Sequence, residues 1–130
     1  MQSSQTQRRT LLITGANKGI GFGIVDKLFS ETTPYDIILT SRDIKLGEAA
    51  IEKLKAKHTK SNSTVTYFRL DVNDNQTVEN LVKWLKETNR KIDVLVNNAT
   101  PQFSTIRLLM ISRNILFKPT FSVLLTSLKS

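Results

Sequence analysis

The feature that most constrains this chain is an apolar run that stops at a glycine turn near the amino terminus. Residues 11–13 are apolar, and glycines follow at 15, 19 and 21 before a helical pattern begins. This order predicts a buried strand, a tight turn and a helix whose first N–H groups face outward. Such a helix end suits a pyrophosphate, because its donors lack partners and its dipole is positive there. Glycine allows positive φ and a close approach of the ligand.

Strands and helices alternate after this turn. Short apolar or β-branched runs predict strands at 36–40, 64–70 and 92–96. Helical spacing predicts helices over about 20–29, 44–57 and 75–85, the first with Ile20 and the second with Leu46 facing the core. The order β-α-β-α-β-α-β predicts an α/β fold, a doubly wound parallel sheet with strand order 3-2-1-4.

The carboxyl ends of these predicted strands meet at one edge of the sheet. Four segments follow strand ends there: residues 14–21, 41–43, 71–72 and 97–99. Ligands of doubly wound sheets bind beyond the strand ends, beside the first strand. The sequence therefore predicts a ligand site at this edge, whereas the plainer alternative is a glycine-rich turn without a ligand.

Four motifs at this edge resemble the short-chain dehydrogenase/reductase family. They are Thr-Gly-Ala-Asn-Lys-Gly-Ile-Gly at 14–21, Thr-Ser-Arg-Asp at 40–43, Leu-Asp-Val at 70–72 and Asp-Val-Leu-Val-Asn-Asn-Ala at 93–99. Within the family, the Asn-Lys pair and the Thr-Ser-Arg-Asp run look most like NADPH-dependent carbonyl reductases. The resemblance covers roughly residues 8–99 and implies an incomplete, N-terminal half of a Rossmann-type domain.

The resemblance also implies which residues hold the cofactor. They are Thr14, Gly15, Asn17, Lys18, Gly19, Ile20, Gly21, Arg42, Asp71, Val72, Asn98 and Ala99. Asp71 and Val72 would lie against the adenine, and Asn98 would contact the ribose region, while Asn97 would tie the sheet together. The alternative for Asp71 is a strand end and a helix cap.

Charge after the second predicted strand favours NADP(H) over NAD(H). Proteins that bind NAD have a carboxylate about 20 residues beyond the glycine motif, and it accepts a hydrogen bond from the ribose 2′-hydroxyl. Here Ser41 and Arg42 occupy that place, and the acid comes only at Asp43. Arg42 can hold a 2′-phosphate through charge-assisted hydrogen bonds, with Lys18 as a second cation. The alternative is a pair of ordinary surface cations.

The residues that protonate a reduced carbonyl are missing from the sequence. The family uses a serine, and a tyrosine followed four residues later by lysine, to polarise the carbonyl and supply the proton. Of the two tyrosines, Tyr35 is followed at that spacing by Leu39 and Tyr67 by Asp71, and both precede the fourth strand. We therefore predict no catalytic residue here and expect the chain to be inactive by itself.

The composition limits which metal sites and which cellular compartment are expected. The sequence has no cysteine and one histidine, His58, which we expect to be solvated near a helix end; no metal site is predicted. A reducing compartment, and hence the cytoplasm, is the natural location. Residues 1–9 are polar, lack the apolar core of a signal peptide and are expected to be a disordered lead-in.

Residues 100–130 differ from the 10–99 cofactor-binding half-domain. Thr100 and Pro101 stand where the family has glycine, and the stretch beyond holds four of the 19 Lys/Arg and none of the 11 Asp/Glu. We interpret it as a frame-shifted or wrongly annotated tail. The fourth strand would then leave an open edge, prone to self-association, unless apolar residues such as 121–125 cover it.

Three functions compete on the sequence. The first is the cofactor-binding fragment of a carbonyl reductase-like oxidoreductase that reduces a ketone or aldehyde when intact. The second is a non-catalytic NADP(H)-binding or interaction module. The third, nucleic-acid binding, has only the net charge of +8 in its favour and no recognition motif, so it is not expected. No membrane span is predicted, because no apolar run approaches ~20 residues.

Overall fold

The computed structural model describes residues 8–16, 19–71, 74–97 and 117–125, the last range through its backbone. The elements follow in this order: β1 (Arg9–Ile13), α1 (Gly19–Phe29), β2 (Tyr35–Ser41), α2 (Ile44–Lys57), β3 (Thr64–Arg69), α3 (Asn75–Glu87), β4 (Ile92–Asn97) and β5 (Phe117–Leu125). The predicted alternation is confirmed, with small differences at the ends of elements. No helix in these ranges is long and apolar enough to cross a membrane.

The strands form one parallel sheet in the order β3-β2-β1-β4-β5. Ile13 near the centre pairs with Leu39 on one side and Val96 on the other. The predicted order 3-2-1-4 is confirmed. Because all strands run the same way, the ends of β1, β2, β3 and β4 lie at one edge, called the carboxyl rim below.

The expectation of an open edge at β4 is wrong. β5 pairs with β4 in parallel, with Leu95 opposite Val123 and Asn97 opposite Leu125, and with one register irregularity between Ile92 and Val94. The apolar stretch 121–125 thus lies in a strand that covers β4. Among the described strands, β3 and β5 are the outer ones.

One face of the sheet packs against α3. Alternate residues of a strand point to the same face, so Leu12, Ile38 and Leu95, which pair across the three strands, all face this helix. The helix contributes a stripe of four apolar residues at helical spacing, and all four are buried: Val78, Leu81, Val82 and Leu85. Trp84 packs at the border of this core, with its ring centroid 5.1 Å from that of Phe68.

The other face packs against α1 and α2. Ile13, Leu39 and Val96 lie in this second core with residues of both helices, so helices cover both faces, as predicted. Two side chains expected in the core are exposed instead, Ile20 by 50% and Leu46 by 52%. Both stand in the first turns of their helices, at the rim where the strands have ended, so no sheet surface is available to cover them.

Candidate functional site

The glycine turn is tied to the strands on both sides of β1. The N–H of Thr14 donates to the carbonyl of Val96 at 3.0 Å, and the N–H of Ala16 donates to the carbonyl of Thr40 at 2.9 Å. The Thr40 hydroxyl donates back to the Ile13 carbonyl at 3.0 Å. The turn is therefore fixed at the middle of the rim, between the ends of β2 and β4.

Two glycines of the turn have left-handed backbones. Gly15 has φ of 59° and Gly19 has φ of 62°, a region that side chains with a Cβ rarely adopt. A Cβ placed on Gly19 would meet no atom within 4 Å, so its surroundings on the rim are open. The first turn of α1 also holds no acidic residue. Conformation, space and helix polarity thus suit an anion next to Gly19.

The predicted residues of this motif are described in part. Thr14 and Gly21 are buried, Gly15 is half-buried, and Gly19 and Ile20 are exposed at the rim. Asn17 and Lys18 lie outside the described residues. Those that are described are held at one place by the turn and the first turn of α1.

The end of β2 presents a cation and uses its acid locally. Arg42 is exposed at the rim, whereas Ser41 before it is buried. Asp43 is the N-cap of α2, and its Oδ1 accepts from the N–H of Leu46 at 3.1 Å. A carboxylate engaged as a cap is a poor candidate for binding a ribose hydroxyl, so the polarity of this corner favours a negatively charged group.

The end of β3 holds this corner in place, which sequence reasoning missed. The N–H of Leu70 and the hydroxyl of Tyr67 both donate to the Ser41 carbonyl, at 2.9 and 3.1 Å. Arg69 Nε donates to the Arg42 carbonyl at 2.9 Å. Burial raises the pKa of the Tyr67 phenol above its ordinary value. The available signal was an arginine at the end of a predicted strand.

Asp71 begins the predicted adenine corner and is braced by α3. Its N–H donates to Thr77 Oγ1 at 2.9 Å, and its carbonyl accepts from the N–H of Asp74 at 2.8 Å. The alternative of Asp71 as a helix cap is wrong, because Asp74 is the N-cap of α3. Val72 lies outside the described residues.

The last predicted segment follows β4. Asn97 is described as the final backbone position of that strand, and Asn98 and Ala99 lie outside the described residues. An acid inside β4 has a structural role that sequence reasoning missed: Asp93 is buried, and its Oδ2 accepts from the N–H of Thr10 at 2.8 Å. The signal was a carboxylate in an otherwise apolar strand.

His58 lies at the opposite end of the sheet and is not solvated as expected. Its side chain is 14% exposed, and its Nε2 lies 2.7 Å from Asp26 Oδ1. It borders a cleft of about 410 Å³ formed where α1 and α2 end. In the described part of the chain, no three His, Cys, Asp or Glu side chains come together as metal ligands.

Known proteins share this sequence pattern and fold. Carbonyl reductase [NADPH] 1 of Sus scrofa is 40% identical over 95 residues, which are 73% of this chain and 31% of that protein. (+)-Neomenthol dehydrogenase of Arabidopsis thaliana is 41% identical over 91 residues, 70% of this chain and 30% of that protein. The solved structure of menthone neomenthol reductase from Mentha piperita superposes with a TM-score of 0.65 at 39% identity, covering 72% of this chain and 32% of that one.

The chain thus spans about a third of the length of the relatives it matches. The family model described as short chain dehydrogenase matches residues 9–128, further along the chain than the motifs at 14–99. This match agrees with the parallel sheet and with the glycine turn at its carboxyl rim. The chain belongs to the short-chain dehydrogenase family.

Proposed function

We propose that this chain is the NADP(H)-binding part of an NADPH-dependent carbonyl reductase-like oxidoreductase. In the intact enzyme, the nicotinamide supplies a hydride to the carbonyl carbon of a ketone or aldehyde. The 130 residues by themselves bind the cofactor without turnover, because they include no tyrosine with a lysine four residues later. The relatives named carbonyl reductase [NADPH] support this proposal.

One observation carries the proposal: the glycine turn is hydrogen-bonded to the end of the strand that presents Arg42. Ala16 N–H donates to the Thr40 carbonyl at 2.9 Å, two residues before Arg42. An anion site at the start of α1 and a cation after β2 are therefore held side by side. A dinucleotide with an extra phosphate on its adenosine ribose has its negative charges in these two places.

Different residues of the rim would bind different parts of the cofactor. Thr14, Gly15, Gly19, Ile20 and Gly21 form the turn against which the pyrophosphate would lie. Arg42 would bind the 2′-phosphate, with Asp71 beside the adenine. We further propose the same cofactor role for the five predicted residues outside the described ranges: Asn17 and Lys18 in the turn, Val72 in the adenine corner, and Asn98 with Ala99 after β4.

Cofactor titration of the full chain tests this function. We expect NADPH to bind saturably and more tightly than NADH, measured by calorimetry or by nicotinamide fluorescence. Arg42→Glu should weaken NADPH binding by roughly tenfold or more, since a hydrogen bond to a charged group contributes about 1.5–3 kcal/mol. NADH binding should change little.

The matched control is Lys60→Glu, which makes the same change in charge at the other end of the sheet, beside His58. It should leave both affinities near those of the unmodified chain. An unchanged NADPH-to-NADH ratio in Arg42→Glu would remove Arg42 from the site. Failure of the unmodified chain to bind either dinucleotide would overturn the proposed function.

The pairing of β5 with β4 supports a second candidate function. Because β5 covers β4, the described strands form a sheet whose central strands are all paired, and this supports a self-standing NADP(H)-binding or interaction module. A monodisperse chain that binds NADPH, yet oxidises none with aldehydes and ketones, would fit this module as well as the fragment. Restoration of reductase activity on adding the missing half would favour the fragment.

The domain division and location are also proposals. Residues 10–99 would be the cofactor-binding half-domain, 1–9 a lead-in, and 100–130 a tail that lacks the family's glycine after Ala99, although the family model matches as far as residue 128. Sequencing the transcript across Asn97 to Pro101 tests this division, and a message that restores Asn-Asn-Ala-Gly and a later Tyr-x-x-x-Lys would make the tail an artefact. A cytoplasmic location is supported by the absence of cysteine and is tested by cell fractionation.

A further inference from the structure

We propose that Arg69 is a specificity-determining residue of the cofactor site: it positions Arg42 and adds a further positive charge for the ribose 2′-phosphate. This inference rests on the proposed function. It concerns the last residue of β3, on a strand that contributes none of the motifs at 14–21 or 40–43.

The contact between the two arginines is direct. Arg69 Nε donates to the carbonyl of Arg42 at 2.9 Å. The register of the sheet explains the contact, because Ser41 and Arg69 pair across β2 and β3, so that Arg42 continues beside the Arg69 side chain. The Arg69 guanidinium is thereby placed at the main chain of the residue proposed to bind the phosphate.

This hydrogen bond completes a set that fixes the β2–α2 corner before any ligand arrives. Tyr67 and Leu70 hold the Ser41 carbonyl, and the Ser41 hydroxyl donates to the Asp43 carbonyl at 3.0 Å. Arg69 alone among these holds the carbonyl of Arg42 itself. A fixed main chain reduces the entropy that Arg42 loses on binding an anion, and this gain appears as affinity.

The charge of Arg69 is only weakly compensated. Its Nη1 lies 3.9 Å from Asp74 Oδ2, beyond hydrogen-bond distance, and the two side chains are 41% and 46% exposed. An exposed pair of this kind contributes little. A guanidinium has five N–H donors in a planar fork, so after one is used on the Arg42 carbonyl, the group can still face a phosphate.

The test compares Arg69→Met with Arg69→Lys in the full chain. Met removes the charge and the donor while keeping an apolar stem, and Lys keeps a charge and a donor. We expect Arg69→Met to weaken NADPH binding by roughly tenfold and NADH binding little, as for one charge-assisted contact. Arg69→Lys should recover part of the loss. Equal weakening of both dinucleotides in Arg69→Met would overturn the inference.

A second variant does not disturb the sheet. Asp74→Ser retains an N-cap side chain for α3 and removes the carboxylate that lies 3.9 Å from Arg69 Nη1. With less compensation, Arg69 should attract the phosphate more, and NADPH binding should strengthen by about two- to threefold relative to NADH, an effect that fades at high salt. An unchanged ratio in Asp74→Ser would contradict the role of the charge.

The outcomes separate the two proposals. Preference of the unmodified chain for NADPH, lost in Arg42→Glu but retained in Arg69→Met, would refute the inference and leave the proposed function in place. Loss of preference in both variants, at unchanged thermal stability, would support both. An unmodified chain that binds neither dinucleotide would overturn both.

Discussion

The imidazole Nε2 of His58 lies 2.7 Å from Asp26 Oδ1, and this contact joins the end of α2 to the last turn of α1. Lys57 Nζ lies 2.9 Å from the other oxygen of the same carboxylate. The His58 ring also meets the Phe29 ring edge-on, with centroids 6.0 Å apart. The two helices on this face are therefore joined by a small polar cluster at the end of the sheet opposite the carboxyl rim.

This cluster makes stability depend on pH. The hydrogen bonds from His58 and then from Lys57 lower the pKa of Asp26 below its ordinary 3.8, so the folded state favours its ionised form. The resulting stability is present above the ordinary pKa and is lost as pH falls through the lowered value. We expect Asp26→Asn to reduce the free energy of unfolding by about 1 kcal/mol or less at neutral pH, and by less in acid.

Urea unfolding at neutral and at acidic pH measures this difference. Glu52→Gln, which removes an exposed carboxylate from α2, is the control and should change stability little at either pH. A deficit of Asp26→Asn that grows as pH falls would contradict the assignment, because a group with a lowered pKa loses its stabilising effect in acid.

Gly47 of α2 lies against the ring of Tyr67, and a Cβ at this position would overlap that ring. Because the Tyr67 hydroxyl is fixed at Ser41, the ring is poorly able to move. We expect Gly47→Ala to lower the free energy of unfolding by about 1–3 kcal/mol, as overpacking does. Gly23→Ala in α1 meets open space and should raise it by about 0.5–1 kcal/mol. Thermal denaturation of the two variants would show opposite shifts; a stabilised Gly47→Ala would refute the close contact.

Substitution of Gly19 would affect both the backbone conformation and the binding of a ligand. Its φ of 62° makes alanine strained, at a cost of about 1–2 kcal/mol, although a Cβ there meets no protein atom. We expect Gly19→Ala to lose NADPH affinity by more than tenfold, because the new methyl group also stands where the pyrophosphate would lie. Calorimetric titration measures this loss. Gly19→Ala with full affinity for NADPH would place the pyrophosphate elsewhere.

Much of the fold could be predicted from the sequence because its helices and strands follow simple patterns. The stripe from Val78 to Leu85 and the run from Ile37 to Leu39 have the periods of a helix packed on one face and of a buried parallel strand. β5 was not predicted, since residues 117–125 contain Lys118 and Pro119 and show no clean alternation. Its pairing with β4 depends on the sheet that the earlier residues form.

The parts of the site that carry a sequence motif could be predicted. The contacts that a long side chain makes with a neighbouring strand could not. The glycine spacing indicates the turn, and the sequence places Arg42 after β2. The hydrogen bond from Arg69 to Arg42 joins residues that are 27 positions apart in the sequence. The register between β2 and β3 brings them together. The same holds for His58, whose partner Asp26 lies 32 positions away. Spacing within a segment carries no information about such pairs.

Asp93 shows the same dependence on strand pairing and allows a direct test. Its Oδ2 accepts from the N–H of Thr10 at 2.8 Å, and both residues are buried. We expect Asp93→Ala to lower the free energy of unfolding by about 1–3 kcal/mol, because it leaves a buried N–H of β1 without its acceptor. Asp93→Asn keeps an oxygen at this position and should lose less. Chemical denaturation of both variants gives the comparison, and hydrogen exchange at the Thr10 amide should accelerate in Asp93→Ala. If alanine and asparagine destabilised equally, the cost would arise from removing the charge of Asp93 and not from the hydrogen bond to Thr10.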